Sequence, residues 1–297
     1  MTQPLVARLD VCIVSWRTRE LLRACLHSVV GLPAGGVAGQ PGVARVIVVD
    51  NASGDGTVGM VGSEFPGVHL IANAENRSYA AANNQAIRAG DAPFVLLLNP
   101  DTELKPGALA TLLRVFQEGP RIGGVAPQLV FPDGRIQRSC RSFPEPAAVL
   151  FDAFGLSRLF PGSARLGRYR MTYWDHNSRR EVDQPMASAL ALRRAALDEV
   201  GLFDESFPLY FNDTDLCYRL RQAGWRIVFD PRAQVLHHHG QSTRQVRAKA
   251  LVESHRSLIR FYRKHYRGKA SFAGYWAVLA VTALTMYPRA ALARLAR

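Results

Sequence analysis

Phe94-Val95-Leu96-Leu97-Leu98-Asn99-Pro100-Asp101-Thr102-Glu103 is the stretch on which the fold turns. Five consecutive apolar residues closed by a turn signal form the pattern of a parallel strand buried on both faces, and Asn-Pro cannot extend it. Asp101 therefore falls just past a strand's carboxyl end. Ligands bind along that edge of an open α/β sheet, and a carboxylate there can hold a divalent cation against a diphosphate. The alternative duty for Asp101 is to cap the helix that begins near Pro106.

Upstream the pattern recurs. Leu9 to Trp16 predicts a first buried strand, followed by a helix over Glu20 to Val30, and Arg45 to Asp50 predicts a second. The second strand ends in Asp50-Asn51-Ala52-Ser53-Gly54-Asp55-Gly56-Thr57, another acid at a strand end ahead of a helix. Between them, the Gly- and Pro-rich loop from Gly31 to Ala44 lacks the Gly-Lys-Ser/Thr ending of a phosphate-binding loop. A short third strand, Val68 to Ala72, leads through Asn73 and Asn76 to a small-residue helix, Ala80 to Ala89. Three βα units ahead of the Phe94 strand imply an α/β protein with a doubly wound, mainly parallel sheet and right-handed crossovers. No G-x-G-x-x-G follows the first strand, which argues against a dinucleotide site.

Downstream, a helix at Pro106 to Glu118 and a strand at Gly124 to Phe131 precede Arg135 to Arg180, whose weak periodicity predicts a long, partly mobile excursion over the sheet edge. A strand at Met186 to Arg193 and a helix at Arg194 to Val200, closed by Gly201, restore order. Phe203 to Asp215 then runs into a helix, Leu216 to Ala223, with Asn212 as its expected N-cap. Asp213, Leu216, Cys217 and Leu220 share one inward face, while Asp215 is expected to pair outward with Arg219. An inward carboxylate opposite a sheet edge carrying Asp101 is a candidate general base. Two further strands, Trp225 to Asp230 and Ala233 to Leu236, deliver His237-His238-His239. Successive strand residues face opposite ways, so the three cannot hold one ion together. His237 is the candidate metal ligand beside Asp101.

The chain has 297 residues, 48% of them apolar, enough for one large domain or one domain with an appendage. Cys12, Cys25, Cys140 and Cys217 form no CxxC pair and are expected as reduced, buried thiols. Met1 to Asp10 has no signal-peptide core, so a cytoplasmic protein is expected. The net charge of +13 is uneven: +11 falls in Gln241 to Arg297 and +6 in Arg135 to Arg180, leaving −4 for the remainder. Basic outer segments on a mildly acidic core suit an anionic surface, whereas a nucleic-acid binder more often has a basic groove. Two domains are therefore expected, a catalytic one over residues 1–240 and a basic helical extension over 241–297. Along Lys249 to Arg267, Leu251, His255, Leu258, Ile259, Tyr262 and Tyr266 make one helical face and five Lys or Arg residues crowd the other. Such a helix lies on anionic membrane, or else packs on the catalytic domain or mediates a homodimer. Phe272 to Met286 is apolar but, at fifteen residues, too short to span a bilayer, and is expected to lie in the membrane interface, flanked by Trp276, Tyr287, Arg289, Arg294 and Arg297.

With these residues assembled, the chain resembles the inverting family 2 glycosyltransferases of GT-A fold, and among them bacterial rhamnosyltransferases. The resemblance covers about residues 9 to 267. It rests on Trp16, on Asp50-Asn51-Ala52-Ser53-x-Asp55-Gly56-Thr57, on Asn99-Pro100-Asp101, on Asp213-x-Asp215-Leu216-Cys217-x-Arg219-Leu220 and on Val235-Leu236-His237-His238. It implies that Ser15 and Trp16 line a base pocket, that Asp50 accepts a hydrogen bond from uracil or thymine N3–H, and that Asn76 and Asn99 belong to the nucleotide-sugar site. It implies Asp101 and His237 as contacts of Mg²⁺ or Mn²⁺, and Asp213 as the catalytic base. The implied reaction moves L-rhamnose from dTDP-rhamnose to a cell-envelope glycan or polyprenyl-diphosphate-linked saccharide, at the inner face of the cell membrane. UDP-hexoses are the second donor choice, and a catalytically idle nucleotide-sugar binder is the alternative of another class. Four positions depart from the family pattern: Asn99 stands for an acid, Asn212 for Glu, Ser78-Tyr79 for Gly-Phe and Ala187 for Gly.

Overall fold

The computed structural model describes residues 8–30, 42–238 and 247–295. Strands β1 (Arg8–Ser15), β2 (Gly42–Asp50), β3 (His69–Ala72) and β4 (Phe94–Leu98) are parallel in the order β3-β2-β1-β4. Their crossovers are α1 (Arg19–Val30), α2 (Thr57–Glu64) and α3 (Tyr79–Ala89). Burial on both faces is what makes β4 continuously apolar. Phe94, Leu96 and Leu98 join one core with α1, α2 and, after the short strand β5 (Thr102–Leu104), α4 (Ala108–Gln117); Val95 and Leu97 join a second core on the other face.

The rest of the sheet is mixed. Beyond β6 (Ile122–Val130) the chain makes β7 (Ile136–Gln137), β8 (Cys140–Arg141), α5 (Pro146–Ala153), α6 (Leu156–Leu159), β9 (Arg180–Glu181) and β10 (Gln184–Pro185). Then β11 (Ala189–Arg193) inserts antiparallel between β4 and β6, followed by α7 (Arg194–Val200), α8 (Asn212–Gln222) and β12 (Arg226–His237). β12 is one strand where two are expected. Its register against β6 slips between Asp230 and Gln234, around Pro231, which has no N–H to give the ladder.

Residues 135–180 correct the expectation of a loose excursion. Cys140, Met171 and Trp174 are buried in the second core, Trp174 stacks on His176 with centroids 3.9 Å apart, and β8 pairs with β10. The order comes from aromatic stacking and pairing between distant segments, which leave no local period. All four cysteines are free and buried, as expected, and burial pushes the Cys25 and Cys140 thiols up to about 12.

The C-terminal helices α9 (Arg247–His265) and α10 (Phe272–Leu295) pack on this frame. Phe261, Tyr262, Tyr266 and Val278 share a third core with Val149 and Phe207, and Tyr262 Oη donates to Pro144 O at 2.6 Å. Of the apolar face expected on α9, Tyr262 and Tyr266 are buried against the domain, while Leu251, His255, Leu258 and Ile259 are half-buried. Asp215 is corrected too: it is fully buried, and meets Arg219, Lys264 and His265 together. The proposed boundary at residues 240/241, like His239, lies outside the described residues. No helix among the described residues is long and apolar enough to cross a membrane.

One close approach ties β1 to the end of α3. The buried Asp10 carboxylate accepts from Ala92 N at 2.8 Å and Arg194 Nη2 at 3.1 Å, and a Cβ on Gly90 would lie 2.2 Å from its Oδ2. Gly90→Ala should therefore cost about 1–3 kcal/mol, the range for forced overpacking, read as a fall in the urea midpoint at unchanged slope.

Candidate active site

The carboxyl ends of β1, β2 and β4 open on a cavity of about 550 Å³. Trp16 and Asn51, the residues after β1 and β2, lie on its wall, as do Asn99, Pro100 and Asp101 after β4. The opposite wall is made by Met186 to Ser188, the segment Pro208 to Tyr210, and Asn212 and Asp213 at the start of α8. His237, from the end of β12, completes it. Six non-glycine residues among those described have φ between 50° and 73°, and four of them flank this cavity: Arg17, Ala52, Ser78 and Phe211. Strained backbone persists where surrounding structure holds it, and such positions gather at functional sites.

Asp213 is held on both oxygens. Oδ1 accepts from Thr214 N at 2.7 Å; Oδ2 accepts from Gln184 Nε2 at 3.1 Å and from Ala187 N at 3.4 Å. Burial pushes its carboxyl above the ordinary value, and those backbone hydrogen bonds only partly offset the rise. The helix begins at Asn212, so Asn212 is not the expected N-cap; Phe211 takes that place at φ 65°. Asn212 instead donates to Leu209 O at 2.9 Å and accepts from Asp213 N at 2.7 Å, anchoring the cavity-side loop to the base helix.

Across the cavity, Asp101 Oδ1 and His237 Nε2 are 3.4 Å apart, and both residues are buried. Gln137 Oε1 lies 2.7 Å from His237 Nδ1. An amide oxygen only accepts, so Nδ1 is the donor in this pair and Nε2 is the nitrogen turned to the carboxylate. One carboxylate and one oriented imidazole fit a divalent cation that takes its remaining ligands from diphosphate oxygens and water. No cluster of three or more His, Cys, Asp or Glu suited to a metal occurs among the described residues. His238 turns the other way, with Nε2 2.8 Å from Glu103 Oε1, as strand alternation requires.

The nucleotide-side residues divide. Trp16, Asn76 and Asn99 are on the wall. Ser15 and Asp50, cross-strand partners at the ends of β1 and β2, stand behind it. Ser15 is fully buried and its hydroxyl pairs with Thr18 at 3.1 Å, so it does not line the cavity as expected. Asp50 Oδ2 accepts from Ser53 N at 3.1 Å, while Oδ1 is buried with no partner among the described residues. Asn51 Nδ2 bridges to Asn76 Oδ1 at 3.0 Å. Tyr79, marked in the sequence only as a departure from Gly-Phe and not as a site residue, donates from Oη to Asn99 Oδ1 at 3.0 Å. Gln184, the other omission, has only its position two residues before Met186 to mark it. Tyr79 was signalled by its place at the first turn of α3, directly after the strained Ser78.

Comparison with known proteins agrees with this arrangement. The signature of Glycosyl transferase family 2 matches residues 10–172. The chain is 34% identical over 234 residues, 75% of its own length and 76% of the relative's, to the N-acetylglucosaminyl-diphospho-decaprenol L-rhamnosyltransferase of Mycobacterium tuberculosis. It is 31% identical to the pre-mycofactocin glycosyltransferase of the same species, over 66% of this chain and 37% of that one. A mannosyltransferase from Pyrobaculum calidifontis, solved with GDP-Man and Mn²⁺, shares the fold at a TM-score of 0.58 and 17% identity, over 97% of this chain and 74% of that one. The GT-A-like mixed sheet, the cavity at its strand ends and these matches together make the chain a glycosyltransferase of family 2.

Proposed function

We propose that the cavity transfers a sugar, with inversion, from a nucleotide diphosphate to a hydroxyl of a polyprenyl-diphosphate-linked saccharide of the cell envelope, at the inner face of the membrane. The donor of choice is dTDP-L-rhamnose, supported by the activity named for the mycobacterial relative. The observation that carries the proposal is the opposition of two sites across one cavity: a buried carboxylate of raised pKa on α8, and the Asp101–His237 pair at the strand ends. An idle nucleotide-sugar binder has no use for the first.

Asp213 takes the acceptor's proton as the acceptor oxygen bonds to the anomeric carbon, while the bond from that carbon to the diphosphate oxygen breaks on the opposite face. Gln184 and the Ala187 amide hold the carboxylate aimed into the cavity. Mg²⁺ or Mn²⁺ at Asp101 and His237 would neutralise the charge that develops on the departing diphosphate. Trp16 offers its ring to the base, and Asn76 and Asn99 offer amides to the sugar-phosphate portion; Asp50, behind the wall, holds the turn after β2 through Ser53 N.

A panel of dTDP- and UDP-sugars with a polyprenyl-diphosphate-GlcNAc acceptor, in Mn²⁺ or in EDTA, tests the proposal. Transfer from dTDP-rhamnose is expected; transfer from a UDP-hexose alone would replace the donor, and no transfer from any donor would remove the function. In the same assay Gln137→Ala, which frees His237 to turn, should raise the Mn²⁺ concentration for half-maximal rate by about 10–100-fold. An unchanged metal dependence would separate His237 from the metal.

A further inference from the structure

Nine large apolar side chains are exposed among the described residues, and seven of them lie on two adjoining elements. On α10 they are Phe272, Trp276, Leu284 and Tyr287, 81%, 54%, 75% and 61% exposed. With the exposed Ala280 and Ala283 they recur at i, i+4, i+8, i+11, i+12 and i+15, one continuous outward stripe without a charge. The opposite side of the helix is already used, with Val278 and Thr282 buried. A helix apolar on its packed side and on its outer side has a second apolar medium to meet.

The other element is the turn around α6, where Phe154, Leu159 and Phe160 are exposed. It adjoins α10 directly. Arg289 Nη2 donates to Ala153 O at 3.2 Å, and Pro146, at the start of α5, is the neighbour that a Cβ on Gly274 would meet. The turn thus follows directly on the helix, α5, that packs against α10. Exposed cations lie on or beside the same elements: Arg158 on α6, Lys269 three residues ahead of α10 and Arg289 on it. Glu253 is the one acid from Gln241 to Arg297, and the acids beside α5, Glu145 and Asp152, are paired with Arg168 and Arg170.

We propose that α10 and the α6 turn form a monotopic docking face that lies in the surface of an anionic phospholipid membrane. Its apolar stripe enters the acyl boundary and its arginines and lysines meet the headgroups. Charge selects lipid over a second copy of the chain, because an isologous dimer through this face would set the same cations against one another. The face deepens the transferase reading, since a polyprenyl-linked acceptor is presented at such a surface, but it does not depend on that reading. It adds to the interfacial segment expected at Phe272 to Met286 a turn, around α6, that is far from it in sequence.

The binding test uses the full chain and vesicles, with no donor or acceptor, so its failure is separate from failure of transfer, which a second assay reads on the same variants. The wild type should sediment with phosphatidylglycerol-containing vesicles and much less with pure phosphatidylcholine, and the Trp276 fluorescence should shift to the blue on binding. Trp276→Ser with Leu284→Ser, and separately Phe154→Ser with Phe160→Ser, should each weaken partitioning at least tenfold while transfer to a soluble acceptor analogue is unchanged. No vesicle binding by the wild type, or undiminished binding by both variants, overturns the proposal. Concentration-dependent dimerisation without vesicle affinity overturns it in favour of a second copy.

Discussion

Asp213→Asn should lower the rate of sugar transfer by roughly 10²–10⁴-fold while donor affinity, read by thermal shift with nucleotide and Mn²⁺, stays close to wild type. The carboxylate is surrounded by donors, Thr214 N on one oxygen and Gln184 Nε2 and Ala187 N on the other, so an amide in its place can satisfy only one side. The Gln184 amide can turn its own oxygen to the new NH₂, which limits the structural damage and leaves the lost base as the main effect. The pH dependence separates base from bystander. Burial raises the Asp213 carboxyl above the ordinary carboxylate value, so the acid limb of kcat/KM should fall at a pH above that value and be absent from the residual activity of the variant. A variant with full transfer, or one that keeps the acid limb, would take Asp213 out of the reaction.

The placement of Asp101 and Asp213 was legible because each depends on a local rule. Two-faced burial of β4 identifies the strand, and the strand's end identifies the edge; helical spacing from Leu216 and Leu220 turns Asp213 inward. Periodicity is silent on what lies beyond the element. It brings Ser15 and Asp50 to the right strand ends but does not tell whether a side chain reaches the cavity or stands behind it, which depends on how the next turn folds back: Ser15 is claimed by Thr18 and Asp50 by Ser53. Gln184 was invisible for the same reason, since its two-residue strand has no pattern of its own and is held by β8, about forty residues earlier in the chain.

Asp215 is the sharper case, and the one with the largest expected effect on stability. Two residues from Asp213 and so on the opposite side of α8, it was expected to face water with Arg219. The side of α8 it occupies is covered by α9, which brings His265 Nε2 and Lys264 Nζ each to 2.7 Å of Oδ1, while Arg219 Nε lies 2.8 Å from Oδ2. Burial alone would raise this carboxyl, but the hydrogen bond from His265 and the charges of Arg219 and Lys264 outweigh it and hold the group below the ordinary carboxylate value. Asp215→Ala removes the one anion these groups share and should cost about 3–5 kcal/mol, the penalty for breaking a buried ion pair from one side. The loss should fall first on the docking of α9, so hydrogen exchange over residues 257–266 should rise before that of β1 or β4. The sign of the pH dependence follows from the depressed carboxyl: the wild-type advantage over Asp215→Asn is fully present above the unfolded-state pKa of about 3.9 and disappears as pH falls through the lower folded value. Urea midpoints of the two proteins that converge in acid and separate toward neutrality are the expected result. Equal midpoints at neutral pH would mean that α9 is held by Phe261 and Tyr262 alone.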